Sequence, residues 1–507
     1  MSALAQPLAA NLVQSVDWLA IAPPTLTAVV GLAVLVADLF VPEARKPLLG
    51  WISVAGLAAA ALLLLPLLGH DRSTFCLTGT TRACSYTADR FTLVVQFLVL
   101  GGALLTALLS VTALKDGRSR YPQGEFWFLL LSSAAGAALL PASRDLATLV
   151  VALEVASLPA FALVGIRHGD KRSSEAALKF FLSSVTATAV SLMGISFVYA
   201  TTGSLYLTQV ADRIQHVDGQ LHTLAQTGVV LTLVGFAFKT AAVPFHFWVP
   251  DTYVGAPLPI AAYLSVVGKA VGFSGLILVT VVAFPSYADV WGPALAALAA
   301  LTMTVGNVAA LRQQATRAYS AVRLLAWSSV GQAGYLLVPI AAAGYTDDAR
   351  KAVGSTVAYA LMYAAVNLGA FAVAAAVART ERLNRLSDYR GLYARNPLTA
   401  LLLAFFLLCL AGLPPGVIGL FAKVTVFSAA VDAGLGWLAV VMAVNVVIAL
   451  YYYLQWTALL FRAPEGEPVR HRLPAPLTAA LALTGTLGVV LSGAPQLVLR
   501  FATAGLF

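Results

Sequence analysis

The sequence predicts an all-α integral membrane protein of about fourteen transmembrane helices. Three observations carry that prediction. Of 507 residues, 60% are hydrophobic and only 10% charged, whereas soluble domains carry about a quarter charged residues. Apolar runs of roughly twenty residues, the length a helix needs to cross the hydrocarbon core, recur along the whole chain. The polar stretches between them reach only about twenty residues, well below the size of a soluble domain. One membrane domain, 1–507, is expected.

Helices rather than strands are expected because backbone polar groups in lipid must be satisfied within the segment. The N-terminal part, 1–115, holds spans 23–41, 50–69 and 91–114, with a polar outer loop over 70–90. No basic stretch of a cleavable signal peptide precedes them. Five spans follow within 124–283: 124–141, 144–166, 174–200, 225–248 and 256–283. Five more fill 289–461: 289–311, 318–341, 350–378, 398–430 and 435–461. The segment 475–507 contributes a last span, 475–497.

Two spans carry helix breakers. Pro244 lies near the end of 225–248, and A-G-L-P-P-G-V-I-G-L interrupts 398–430 with Pro414, Pro415 and three glycines. Proline removes a backbone donor and clashes one turn back. Irregular backbone at membrane depth survives only within protein or beside water. These spans are the seventh and twelfth, the fourth members of the units 4–8 and 9–13. The pattern reads as two inverted five-helix repeats with broken helices 7 and 12, an arrangement of ion-coupled transporters.

The net charge of +9 is largely topological. Loops after odd-numbered spans hold 18 of the 31 basic residues, and loops after even-numbered spans with both chain ends hold 8. The positive-inside rule then puts the odd loops in the cytoplasm and both termini outside. Nucleic acid is thereby disfavoured as a partner. Three cysteines, Cys76, Cys84 and Cys409, exclude a zinc or iron–sulfur centre by count and spacing. Cys76 and Cys84 bracket the outer loop, where an oxidising compartment allows either a disulfide or two thiols.

Five basic residues remain, all inside spans: Lys179, Lys239, Lys269, Arg323 and Lys423. Glu154 lies mid-span with them, ten residues from one end and twelve from the other, about 15 and 18 Å. A charge at mid-bilayer costs about 2.5–3.5 kcal/mol on insertion scales. Arg323 lies close enough to an end to snorkel, and Lys179 stands between snorkelling and function. Glu154 and Lys239 read either as a fixed structural ion pair or as part of a polar path. Lys269 has no equally central acidic partner left. An ammonium there bears its desolvation without a fixed counter-ion, so the neutral amine is accessible, as a proton carrier requires. Function outweighs structure for Lys269 and Glu154, and less strongly for Lys239 and Lys423.

The stretch K-T-A-A-V-P-F-H-F-W-V-P-D-T-Y-V-G-A-P-L-P, from Lys239 to Pro259, resembles the antiporter-like membrane subunits of respiratory complex I, the proton-pumping NADH:quinone oxidoreductase. R-L-L-A-W-S-S-V-G-Q-A-G-Y (Arg323 to Tyr335) and L-A-G-L-P-P-G-V-I-G-L-F-A-K (Leu410 to Lys423) match the same family, and the likeness covers roughly 90–460. The N-type branch fits best: the chain lacks the lateral arm of the L type, and Lys423 stands where the M type carries glutamate. The resemblance implies an ion pair of Glu154 with Lys239, a central carrier at Lys269, an exit-side carrier at Lys423, and a linked lysine at Lys179. It also implies a bacterial cell membrane and neighbours of the K, J and M types. NADH, FMN, iron–sulfur clusters and a quinone would serve the complex, with no cofactor and no metal on this chain. Two positions depart from the pattern. Gln332 replaces a common histidine and cannot titrate, and Val322 replaces a lysine. His246 has no second metal ligand at a suitable spacing and reads as a structural hydrogen-bonding residue. Phe245, Phe247 and Trp248 read as an interfacial belt.

The mechanism these residues imply is electrostatic gating. Glu154 holds the Lys239 ammonium; when they part, the less compensated charge displaces the proton of Lys269 towards Lys423. At an effective dielectric of about 20, a unit charge about 7 Å away is worth about 2.4 kcal/mol, more than a tenfold bias. The chain has no dinucleotide fingerprint, flavin site or cluster ligands, so the driving energy arrives from other subunits. Two other readings stand beside this one: a subunit of an Mrp-type sodium/proton antiporter, and a non-pumping membrane scaffold.

Overall fold

The computed structural model describes residues 16–77, 83–115, 121–346, 348–464, 472–503 and 505–506. Of the basic loop residues above, Arg82, Arg118, Arg120 and Arg470 lie outside the described residues.

Among the described residues, thirteen helices are long and apolar enough to cross a membrane. In chain order the helices begin with α1 (Trp18–Asp38), α2 (Pro47–Leu62), α3 (Arg90–Lys115), α4 (Gln123–Leu139), α5 (Leu146–Val164) and α6 (Lys171–Thr202). A short amphipathic α7 (Leu207–Ile214) precedes α8 (His222–Thr240) and α9 (Trp248–Gly255). Next come α10 (Leu258–Ala283), α11 (Ala288–Leu311), α12 (Ser320–Ala342) and α13 (Arg350–Ala378). The chain closes with α14 (Pro397–Ala411), α15 (Val417–Asp432), α16 (Gly436–Phe461), α17 (Ala475–Gly493) and α18 (Gln496–Thr503).

The expected span 398–430 is thus two half-helices. Each, at about 1.5 Å per residue, is shorter than the roughly 30 Å hydrocarbon core, so only together do they cross it. Gly412 ends α14 with φ +87°, and the amides of Gly412 and Leu413 both return to Leu408 O at 2.9 Å, as a glycine C-terminus does. The expected span 225–248 stops earlier than its proline, at Thr240. Ala241 turns left-handed with φ 70° and returns its amide to Phe238 O. The residue before a proline is pushed out of the helical region, and the helix ends before reaching it. Likewise 475–497 stops at Gly493, and its tail folds as the separate α18.

α10, α12 and α13 form the centre: 89%, 94% and 89% of their most apolar windows are buried, against 33% for α1 and 39% for α17. The two ends are distinct. At one, β1 (Arg72–Cys76) and β2 (Cys84–Ala88) pair as an antiparallel hairpin joined by a Cys76–Cys84 disulfide. Tyr86 bridges to Ser143, Asp145 bridges to Tyr206, and Phe91 N donates to Leu506 O at 3.1 Å. At the other, Tyr319 N donates to Leu383 O at 2.6 Å and Ser387 N to Ala315 O at 3.1 Å. Loops after even-numbered and after odd-numbered spans therefore gather at opposite ends.

Candidate functional site

The acid comes first. Asp145 caps α5 by accepting from Thr148 N at 2.7 Å, and Glu154 lies half-buried in mid-helix. Its carboxylate accepts from Thr188 Oγ1 of α6 at 2.7 Å. Lys239, in the last turn of α8, is 3% exposed. Its amine donates to Ser157 Oγ at 2.7 Å, three residues along α5 from Glu154. Ser157 in turn donates to Leu153 O at 2.6 Å, which fixes the hydroxyl with a lone pair towards the amine. Glu154 and Lys239 make no salt bridge within 4 Å among the described residues, and the Glu154 charge acts on the Lys239 amine across the gap. A serine hydroxyl holds the base and a threonine hydroxyl holds the acid. The Lys239 amine also lies 5.4 Å over the Phe180 ring.

Phe180 stacks on Trp248 at 4.3 Å, and Trp248 Nε1 donates to Phe238 O at 3.3 Å. Trp248 is 2% exposed, so it is no belt residue: it braces the broken end of α8 from within. Phe247 does face outward.

Lys269 in α10 is 2% exposed. Its amine has no hydrogen bond or ion pair among the described residues. It directly follows a π-helical turn, Leu264–Gly268, a departure that often accompanies functional sites. One turn earlier on the same face, Ser265 is a junction between spans. Asn367 Nδ2 donates to Ser265 Oγ at 2.7 Å and Tyr363 OH to Ser265 O at 3.2 Å. Tyr363 OH lies 3.0 Å from Ser329 Oγ, which lies 3.4 Å from Tyr253 OH. A line of hydroxyls thus runs from α9 through α12 and α13 to the turn before Lys269.

Gln332, three residues along α12 from Ser329, holds a second set of contacts. Its carbonyl accepts from Tyr359 OH, and its amide donates to Tyr453 OH at 3.3 Å. Tyr453 is bonded to Ser328 at 2.5 Å. Lys423 follows in α15, 4% exposed. Its amine donates to Leu410 O at 2.9 Å and Ala411 O at 2.7 Å, the free carbonyls at the end of α14. A half-helix C-terminus carries partial negative charge, so the break itself supplies what a carboxylate would otherwise provide. At Gly419 a Cβ would lie 1.7 Å from Cys409 O, and this missing side chain lets the half-helices meet. Gln332, Tyr359, Tyr363 and Lys423 share a cavity of about 20 Å³, room for one water.

The remaining charges lie at the end holding the odd-numbered loops. Lys179 contacts Glu175 at 2.7 Å and Asp251 at 2.8 Å, and Arg323 contacts Asp251 at 3.3 Å. Arg323, read as snorkelling, is instead an ion-pair partner. Lys179, read as linked to the axis, is tied to carboxylates at its edge, with its side chain 46% exposed. Burial pushes the Asp251 carboxyl up, but the two cations outweigh it and hold it below the ordinary aspartate value. His246 packs its ring 5.5 Å from Trp327. Its Nδ1 is buried, and the ring engages the Pro244 backbone, so backbone contact and packing together hold it. No group of three or more His, Cys, Asp or Glu suited to a metal occurs among the described residues.

The sequence reading missed Ser157, Ser265, Tyr363, Ser329 and Asp251. Asp251 gave no signal, because it lies 72 residues along the chain from both Lys179 and Arg323. The hydroxyls had none, because most serines and threonines in these spans bond the carbonyl four residues back, as Ser274 does to Ala270 O.

The family described as NADH:quinone oxidoreductase/Mrp antiporter matches residues 143–449. A Streptomyces griseus protein named NADH-quinone oxidoreductase subunit N 2 is 76% identical, over 98% of this chain and 96% of its own. A chain of Thermus thermophilus respiratory complex I is 32% identical with a TM-score of 0.75, over 95% of this chain and 100% of that one. A chain of the Mrp complex from a Dietzia species has a TM-score of 0.81 at 22% identity, over 95% and 96%, a likeness of fold alone.

Proposed function

Because the chain belongs to the NADH:quinone oxidoreductase/Mrp antiporter membrane family, and within it to the N subunits of NADH-quinone oxidoreductase, we propose that Glu154, Lys239, Lys269 and Lys423 carry its proton translocation. The protein is a multi-pass membrane subunit of that translocase, and other complex I membrane subunits are its partners. Its immediate neighbours on this reading are the K-, J- and M-type subunits. NADH, FMN, iron–sulfur clusters and quinone act elsewhere in the complex. The odd loops face the cytoplasm of a bacterial cell, and both termini face out.

The observation that carries the proposal is Lys269: a fully enclosed amine without a counter-ion among the described residues, one turn from a junction of cross-span hydrogen bonds. Pairing cannot account for it, whereas proton exchange does. In the resting arrangement Ser157 holds the Lys239 amine and Thr188 holds Glu154. Motion of α5 against α8, driven from the neighbouring subunit, breaks the Lys239–Ser157 bond and draws Lys239 away from the field of Glu154, leaving that charge less compensated. A second ammonium at Lys269 then becomes less favourable, and its proton leaves along Ser265, Tyr363 and the cavity water to Lys423. Gln332 does not titrate. It orders the water by accepting from Tyr359 and donating to Tyr453. The α14 carbonyls receive the charged Lys423.

Lys269→Met in the assembled complex tests this reading. NADH-driven acidification of vesicles is expected to fail while the complex still assembles; an unchanged proton-to-electron ratio overturns it.

A further inference from the structure

We propose that the groove between α11 and α12 binds one anionic phospholipid, its phosphate held by Arg312 and Arg317 and an acyl chain laid along the two helices. The groove has a volume of about 590 Å³ and opens at the end of the protein holding the odd-numbered loops. Its floor is apolar: Val305, Val308 and Ala309 form one face of α11, and Trp327 closes the side from α12. Its rim is cationic. Arg312 follows the last residue of α11, Arg317 lies in the loop, and Arg323 stands in the first turn of α12.

These three arginines differ in their partners. Arg323 is held by Asp251 at 3.3 Å. The guanidinium groups of Arg312 and Arg317 are exposed, with no ion pair or hydrogen bond among the described residues. Two free planar cations at headgroup level, above an apolar slot at chain level, fit a phosphate diester on an acyl tail. A dissolved phosphate has no use for the slot, and a carboxylate segment of another protein leaves the slot unfilled. Gln313 Oε1, buried beside the rim without a partner among the described residues, offers an acceptor that a headgroup hydroxyl satisfies. The groove lies apart from the buried axis, so neutralising its rim leaves the conducting residues untouched.

The test uses the purified complex in phosphatidylcholine nanodiscs doped with a photoactivatable phosphatidylglycerol. Labelling of the α11–α12 peptide is compared between wild type, R312Q/R317Q and R45Q. Each arginine at an anionic surface contributes about fivefold, so the double variant is expected to label roughly thirtyfold more weakly. R45Q, which lowers the net charge elsewhere, is expected to label as wild type. Equal labelling of the double variant, equal labelling by a phosphatidylcholine probe, or an equal loss in R45Q overturns the proposal. So does density for a neighbouring polypeptide in the groove in a map of the complex.

Discussion

Ser157→Ala is the perturbation that reaches deepest into the mechanism while changing least. It removes one oxygen, the acceptor 2.7 Å from the Lys239 amine. The site is buried, and α5 keeps its other contacts. A hydrogen bond to a charged group contributes about 1.5–3 kcal/mol, and each 1.4 kcal/mol is about tenfold in an equilibrium. Holding a charged Lys239 at this position should therefore become roughly 10- to 150-fold less favourable. The step that depends on charging and discharging Lys239 slows accordingly. The assay is NADH-driven acidification of inverted membrane vesicles, read with a pH-sensitive dye beside NADH:quinone turnover. Assembly is checked by the amount of intact complex. Ser157→Ala should lower the rate of acidification at least tenfold with the complex assembled. Ser157→Thr, which keeps the hydroxyl, should restore most of it. If Ser157→Ala pumps at the wild-type rate and ratio, the serine is only packing and the gating role assigned to this contact is wrong.

Three further outcomes follow from the same geometry. Gly412→Ala places a Cβ 3.3 Å from Lys423 Cδ and 3.4 Å from Nζ in a left-handed residue; it should cost about 1–2 kcal/mol in backbone strain and slow turnover, measured as NADH:quinone activity, more than it lowers complex yield. Gln332→Leu removes the bonds to Tyr359 and Tyr453 at the cavity beside Lys423 and should depress pumping severely, whereas Gln332→His should retain it; equal activity of the leucine variant in the vesicle assay contradicts a role for ordered water there. Asp251→Asn breaks the contacts to Lys179 and Arg323, each partly exposed and worth about 0–1 kcal/mol, so a small loss of thermal stability with near-normal pumping is expected in a melting assay of the complex.

The legible and illegible parts of the site divide by residue chemistry. Lys269 and Lys423 were visible because an amine inside a span is costly wherever it points. Lys239 was visible for the same reason, but its partner was not. The sequence offers Glu154 as the obvious counter-ion, while Ser157, one turn away, takes the bond. Trp248 was misplaced because an aromatic beside a proline near a span end suits either a lipid interface or a core. Only the early stop of α8 at Thr240 turns it inward against Phe180. The disulfide was left open by the spacing of Cys76 and Cys84, and the pairing of β1 with β2 brings the two together.

The sequence by itself determined the solvent this chain lives in, the number and approximate limits of its spans, the positions of its helix breaks and the amines that cannot be there by accident. Those are sums over neighbouring residues: apolar area against lipid, charge against desolvation, proline against a missing donor. The tertiary structure alone decided which groups meet. A hydroxyl in a span is nearly free of cost because its own helix offers a carbonyl one turn back. Whether it stays there, like Ser274, or reaches across, like Ser329 to Tyr363, depends on the rotation and depth of the facing helix. No local pattern records that choice, and the contacts that join Ser265, Tyr363 and Ser329 across spans are built from it.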